Sequence, residues 1–571
     1  MRNIRKKSGL LGIASLFSIL AVLLSACGGG STGNTSGSNS QIALASKQVL
    51  REPVIGGDFD SLDPALTAGG LGDPINLIFT GLVSADDQGN IHDQLAASHQ
   101  VSSDGLTYTF TLRPNLKFSD GTKLDANDVA YSINRAIDPA TKSQVSSYLS
   151  LIKDYDKFSA GKISTLIGDS IVVKDPNTIV LTISKPASYF LQALNYSTSY
   201  VVNKALTTKY GAKWVDHLGE GAGDGPFEVK SYSHNTGLVL VPNPNYYNAK
   251  PKLQELDEVI TGDRDSTFKS MKAGQFDLAP VPPALDSANN QLPGYQQSPA
   301  LATRFIGMNY LVKPLDNIKI RQALELALNR NLIVGSIIGK TVTPSYHIIP
   351  DGIPGYNKDL QGPDGVTTPA GDQAKAKELF QQGLQEEGYK SVNDLPSLSL
   401  SYAQSYKAGA DTMAAVANEW KQVLGLNVKL VGLQGNDLIS QEFATAGKNG
   451  PLQMWYGSWS TDYLDPQDWT TLFFDKGSSN NAFNYGQNNS TDAAAQQAVQ
   501  TQLEKADSTS DQATRLKLYQ DAEQKLVNDV PYITTYQSSY GYLLNPKLKG
   551  WKLFPLGSMA TDDWANVYFT K

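Results

Sequence analysis

The sequence predicts an α/β fold spread over two or three domains. Three observations point there. Alternating apolar and polar residues mark strands in both halves of the chain. Runs with helical spacing are interleaved with them. One strand–helix–strand unit in the second half has the length of a parallel crossover. At 571 residues there is ample material for several cores.

In chain order, Tyr108-Thr109-Phe110-Thr111-Leu112 alternates as a half-buried strand does. Asp120-Gly121-Thr122 is a turn, and Asp125 then opens a helix with Ile133 and Ile137 on its apolar side, stopped at Pro139. Ile179-Val180-Leu181-Thr182-Ile183 is a second strand. A helix begins near Asn317, with Ile320, Leu324, Leu328 and Leu332 at helical spacing. Leu398-Ser399-Leu400-Ser401-Tyr402 is the first strand of the crossover. Its helix runs from about Asp411 through Met413, Val416, Trp420 and Leu424, with Gly425 placed to end it. Asn427-Val428-Lys429-Leu430-Val431 returns as a strand. A last helix starts near Asp511, carries Leu516, Tyr519 and Leu526, and stops before Pro531.

The N-terminal segment reads as an export signal. Arg2, Arg5, Lys6 and Lys7 precede an apolar run from Leu10 to Leu24, and Leu24-Ser25-Ala26-Cys27 supplies small residues before a cut site. The run is too short for a comfortable span of a ~30 Å hydrocarbon core. A cysteine directly after the small residues is the bacterial lipoprotein pattern, which implies that Cys27 becomes a lipidated N-terminus. Residues 27–48 follow as a Gly/Ser-rich tether. Cys27 is the single cysteine of the chain, so once lipidated it leaves no disulfide and almost no thiolate chemistry.

Composition excludes several functions. The leader holds four of the 48 Lys and Arg and none of the 55 Asp and Glu, so the mature chain is more acidic than the formal −7. Nucleic acid wants the opposite sign. His92, His99, His217, His234 and His347 show no close ligand spacing. Neither a metal nor another cofactor is expected, and no nucleophile–base pair suggests an enzyme. Gly335-Ser336-Ile337-Ile338-Gly339-Lys340-Thr341 has three residues between its glycines where a phosphate loop needs four, and reads as an ordinary turn.

The segment from Trp455 to Trp469 packs three Trp and two Tyr among three acids. It reads either as a surface loop with core aromatics or as an aromatic pocket with a placed carboxylate. Composition leaves both open.

Other blocks carry a resemblance. They are Leu62-Asp63-Pro64, Ile78-Phe79-Thr80-Gly81-Leu82, the run from Asp104 to Arg113, Gly225-Pro226-Phe227, Asn243-Pro244-Asn245-Tyr246-Tyr247 and the run from Asn317 to Leu324. In this order, over about residues 50–571, they resemble the dipeptide- and oligopeptide-binding lipoproteins of ABC importers, the extracytoplasmic solute-binding proteins of family 5. Ser147-Tyr148-Leu149, Tyr210-Gly211-Ala212-Lys213-Trp214 and Trp459-Ser460-Thr461-Asp462-Tyr463-Leu464-Asp465-Pro466 are similar to the oligopeptide branch.

The resemblance implies a large periplasmic-binding-protein-like fold, with two α/β lobes, a hinge and an extra α+β domain. Lobe I would be built from residues 50–80, 205–305 and 530–571, the extra domain from 81–204 and lobe II from 306–529. It implies a monomer outside the cytoplasm, anchored to the cell membrane through Cys27. The protein would capture peptides between its lobes and deliver them to ABC permease subunits. Carried over residue by residue, Asp462 would hold the peptide's ammonium group. Trp459, Ser460 and Thr461 would supply the backbone-pairing strand and pocket wall, beside Tyr463. Gly69 and Gly70 stand where the family can carry an acidic side chain. Gln453-Met454-Trp455-Tyr456 departs from the branch by lacking the basic residues that take the peptide carboxylate, and Lys448 is the nearest cation. The same fold could instead hold a chelated metal, haem or a glycan, or sense peptides without transporting them.

Overall fold

A computed structural model describes residues 44–571 apart from 68–73, 87, 340–341, 479 and 555–558. Cys27, Gly69 and Gly70 lie outside the described residues, as do Lys340 and Thr341. No helix of the described residues is long and apolar enough to cross a membrane.

Three sheets of four or more strands organise the described residues, beside two two-stranded ones. The first has four strands, Val49–Ile55, Glu255–Thr261, Gly237–Pro242 and Phe227–Ser233 in that spatial order. Its core gathers Leu50, Leu77, Trp214, Leu240, Leu256 and Trp564, so early, middle and C-terminal segments share one interior.

The second is an antiparallel sheet of Ala96–Val101, Thr107–Leu112, Thr178–Thr182 and Ile171–Asp175. The helix Ala126–Ile137 packs against it through Val129, Ile133 and Ile137. As expected, Asp125 caps this helix, and Asp128 completes a capping box. Asp63, from the Leu62-Asp63-Pro64 block, ties this layer to the first one. It accepts from Arg135 of that helix and from Trp214 Nε1 at 2.8 Å.

The third sheet has seven strands and carries the crossover. Leu398–Ala403 and Val428–Leu433 pair in parallel, joined by the helix Lys407–Leu424. Gly425 ends that helix in the left-handed region (φ 71°). The helix begins a turn before the expected Asp411, which lies inside it and pairs with Lys407 at 2.6 Å.

Two other expectations need correction. The helix capped by Asn317 ends at Leu326, and Asn329 caps a second helix, Arg330–Ile337. Leu332, expected on the apolar face, is therefore 67% exposed. Gly335 lies inside this second helix and not in a turn. The described end of the tether is also bound down: Gln48 Nε2 donates to Phe569 O at 3.0 Å, and Phe569 N donates to Gln48 Oε1 at 2.8 Å.

Two long strands, Tyr295–Met308 and Tyr532–Leu544, run antiparallel through the seven-stranded sheet. At one end Leu543 and Leu544 pack with Phe268, Leu278 and Ala279. At the other, Ile306, Met308 and Ile533 pack with Leu324, Leu400 and Trp420. The expected boundary between residues 305 and 306 thus falls inside a continuous strand. The register of the pair shifts between Pro299 and Thr303, and again between Arg304 and Phe305.

Candidate functional site

The strand Met454–Ser460 lies in the seven-stranded sheet beside Tyr295–Met308, paired antiparallel from Met308↔Met454 to Ala302↔Ser460. Glycines set how closely the two approach. A Cβ on Gly307 would lie 2.5 Å from the Trp455 indole, and one on Gly457 would lie 2.8 Å from the Phe305 ring. Each aromatic ring thus covers the glycine opposite it. On its other edge the strand pairs with Leu398–Ala403 only at Met454 and Trp455. Beyond Trp455 no strand of the described residues covers that edge, which leaves backbone groups able to accept another extended chain.

Strand alternation sorts the side chains of this segment. Ser458 and Ser460 line a cavity of about 580 Å³, together with Thr303, Arg304, Tyr406 and Tyr536. Trp459, on the opposite face, lines a second cavity of about 380 Å³ with Tyr148, Tyr189, Phe443 and Tyr463. Its ring meets Phe473 edge-on at 4.8 Å. Both readings of the aromatic segment therefore hold in part: Trp455 and Trp469 are core, while Trp459 is half-buried at a cavity wall.

The three acids after the strand have three different environments. Asp465 is buried and bonded at both oxygens by Arg515, at 2.7 and 2.6 Å. Asp468 is also buried. Its Oδ2 accepts from Asp462 N and from Thr461 Oγ1, each at 2.9 Å. Thr461 Oγ1 in turn accepts from Trp469 Nε1 at 2.9 Å. Only Asp462 meets the extra layer: Tyr148 Oη donates to its Oδ2. Tyr148 stacks on Tyr196 at 3.9 Å and stands edge-on to Tyr463 at 6.3 Å. Tyr463 is itself buried, parallel to Tyr189 at 6.4 Å.

Burial pushes the Asp462 carboxyl up to about 6, against the opposing pull of the Tyr148 hydrogen bond. Burial also raises Asp468 well above the carboxylate range, and the neighbouring Asp462 charge adds to it. Burial and mutual repulsion disfavour two charges on this pair, and Asp462 is the member that titrates in the lower range. A bound cation would favour its ionised form and lower its pKa. Affinity for a cationic group should then be full above about pH 6 and fall as pH drops through that value. Calorimetry from pH 5 to 7.5 checks the sign. Tyr148→Phe, which removes the donor, should move the midpoint to higher pH.

Several of these residues were not singled out from the sequence as site residues. Tyr189, Tyr196 and Tyr148 come from the extra layer, and Arg304 arrives through strand register opposite Ser458. Tyr148 was visible only as part of a resemblance block. Lys448 lies before the buried end of the strand, where its carbonyl accepts from Asn309 Nδ2 at 2.9 Å.

A family model described as "Bacterial extracellular solute-binding proteins, family 5 Middle" matches residues 90–481. The chain belongs to this family. It is a solute-binding protein and not an enzyme. The oligopeptide-binding protein OppA of Bacillus subtilis is 28% identical over 556 residues, 94% of this chain and 96% of that protein. The dipeptide-binding protein DppE of the same organism is 26% identical, over 85% of this chain and 86% of its own length. Among solved structures, the Escherichia coli murein tripeptide binding protein MppA superposes with a TM-score of 0.72 at 26% identity, covering 93% of this chain and all of that one. A periplasmic oligopeptide-binding protein from Borrelia burgdorferi gives 0.70 at 27% identity, covering 90% and 99%. The fold of this family-5 protein is accordingly the two-lobe α/β binding fold that the resemblance implied.

Proposed function

We propose that this family-5 protein captures peptides between its two lobes and hands them to an ABC permease from a lipid anchor on Cys27. The observation that carries the reading is Asp462. It is an ionisable carboxylate two residues past a strand whose second edge no described strand covers beyond Trp455, bonded to Tyr148 of the smaller cavity and following Ser460 of the larger one. A free peptide offers an ammonium, a backbone and a carboxylate whatever its sequence. Strand addition takes the backbone, and Asp462 takes the ammonium by a charge-assisted bond. Trp459, Ser460 and Thr461 supply the strand and the walls on either side. The peptide names carried by the matched relatives support this choice over a metal chelate, haem or a glycan.

Native mass spectrometry of the purified protein tests the reading, since copurified peptides would appear as a ladder of masses. A single non-peptide mass would overturn it. The anchor has its own test. Cys27→Ala should leave peptide affinity unchanged while moving the protein from the membrane fraction to the soluble one. Retention of the variant at the membrane would rule out the lipid as its mooring.

A further inference from the structure

The strand Met454–Ser460 separates two cavities of unlike chemistry. The smaller one, on the Trp459 face, has no charged side chain in its lining among the described residues. The larger one, on the Ser458 and Ser460 face, holds two guanidinium groups, Arg304 and Arg264. Arg304 stands opposite Ser458 in the ladder, so both side chains leave the sheet on the same face. Its guanidinium lies 4.7 Å over the Tyr406 ring. It makes no ion pair and no side-chain hydrogen bond with a described residue, whereas the buried Arg330 and Arg515 are each matched to a carboxylate and the buried Arg321 donates to the Asp529 and Leu315 carbonyls. Asp286, which also lines this cavity, accepts from Tyr295 Oη at 2.5 Å, a bond that does not neutralise a carboxylate, so the lining holds two guanidinium groups and one acid. The Tyr406 ring packs against the Arg304 guanidinium at the cavity wall, where its donors can meet whatever fills the space.

An extended chain added beside the strand sends successive side chains to opposite faces. We propose that Arg304 makes the larger cavity select a carboxylate, so that the protein reads acidic groups on a bound peptide with a two-residue period. The proposal rests on the reading that peptide lies along this strand. The carboxylate is that of an Asp or Glu side chain of the peptide directed to the Ser458 face.

The test uses five-residue alanine peptides with one glutamate moved through positions two to four. Each is made as free acid and as C-terminal amide and titrated calorimetrically into the full-length protein. A glutamate preference of about tenfold at alternate positions, kept in the amides, would assign the side chain as the source. A preference for acid over amide that is blind to glutamate position would overturn it. The glutamate preference must vanish in Arg304→Gln and survive weakened in Arg304→Lys, with thermal unfolding confirming that both variants are folded. Equal binding of all peptides by the unaltered protein, or an undiminished preference in Arg304→Gln, overturns the proposal while leaving peptide capture standing. Failure of every peptide to bind overturns both.

Discussion

Asp462→Ala should weaken the binding of a free peptide by about 2–5 kcal/mol, the scale for truncating one partner of a buried, hydrogen-bonded charge pair. The carboxylate it removes is largely withdrawn from water, which is why its pKa rises to about 6. An ammonium arriving there loses its hydration and needs the full charge of Asp462 in return. The informative comparison adds a second change on the ligand. Acetylating the peptide's amino group removes the same interaction from the other side. The unaltered protein should discriminate strongly between free and acetylated peptide, and Asp462→Ala should bind both alike. If the variant still prefers the free amine, the ammonium site lies elsewhere. The variant also strips Tyr148 of its acceptor. Tyr148→Phe, measured alongside, separates that contribution.

The second large effect concerns stability. Arg515→Met should destabilise the protein by about 3–5 kcal/mol, because it leaves the Asp465 carboxylate buried without its partner. Arg515 also reaches Tyr519 Oη at 3.2 Å, and Asp465 accepts from Gln467 N at 2.9 Å to cap the turn after it. Adding Asp465→Asn to Arg515→Met removes the orphaned charge and keeps an acceptor for that cap. The double variant should recover most of the loss, read as the unfolding midpoint in urea. A double variant no more stable than Arg515→Met would show that packing around the guanidinium, and not the stranded charge, accounts for the loss.

These two predictions separate what the sequence made legible from what it did not. The crossover at 398–433 was readable because its signals are local: alternation, helical spacing and a terminating glycine all lie within 36 residues. The helix at Asn317 was readable at its cap but not at its end, since the break before Asn329 depends on a competing cap and on the buried Glu325–Arg330 pair. At the site, resemblance singled out Asp462, but nothing in the chain distinguishes it from Asp465 and Asp468. That distinction is made by Arg515 from a late helix and by Tyr148 from the extra layer. Arg304 was invisible for the same reason. Its place beside Ser458 is a matter of strand register between segments far apart in sequence.

The register shifts in the strand Tyr295–Met308 bear on how such a protein can change its taste. Ala302, Thr303 and Arg304 line the larger cavity, and they sit where the two long strands fall out of step between their two cores. On the reading proposed above, selectivity and mechanics would fall to the same few residues. A substitution there would then retune what is held and, at once, how stiffly the two ends of the strands are joined. Residues on the Trp459 side carry no such double duty, since that wall is built from side chains off the long strands. New preferences should be acquired most readily through the aromatic wall, with the arginine wall changing only when a compensating alteration restores the joint.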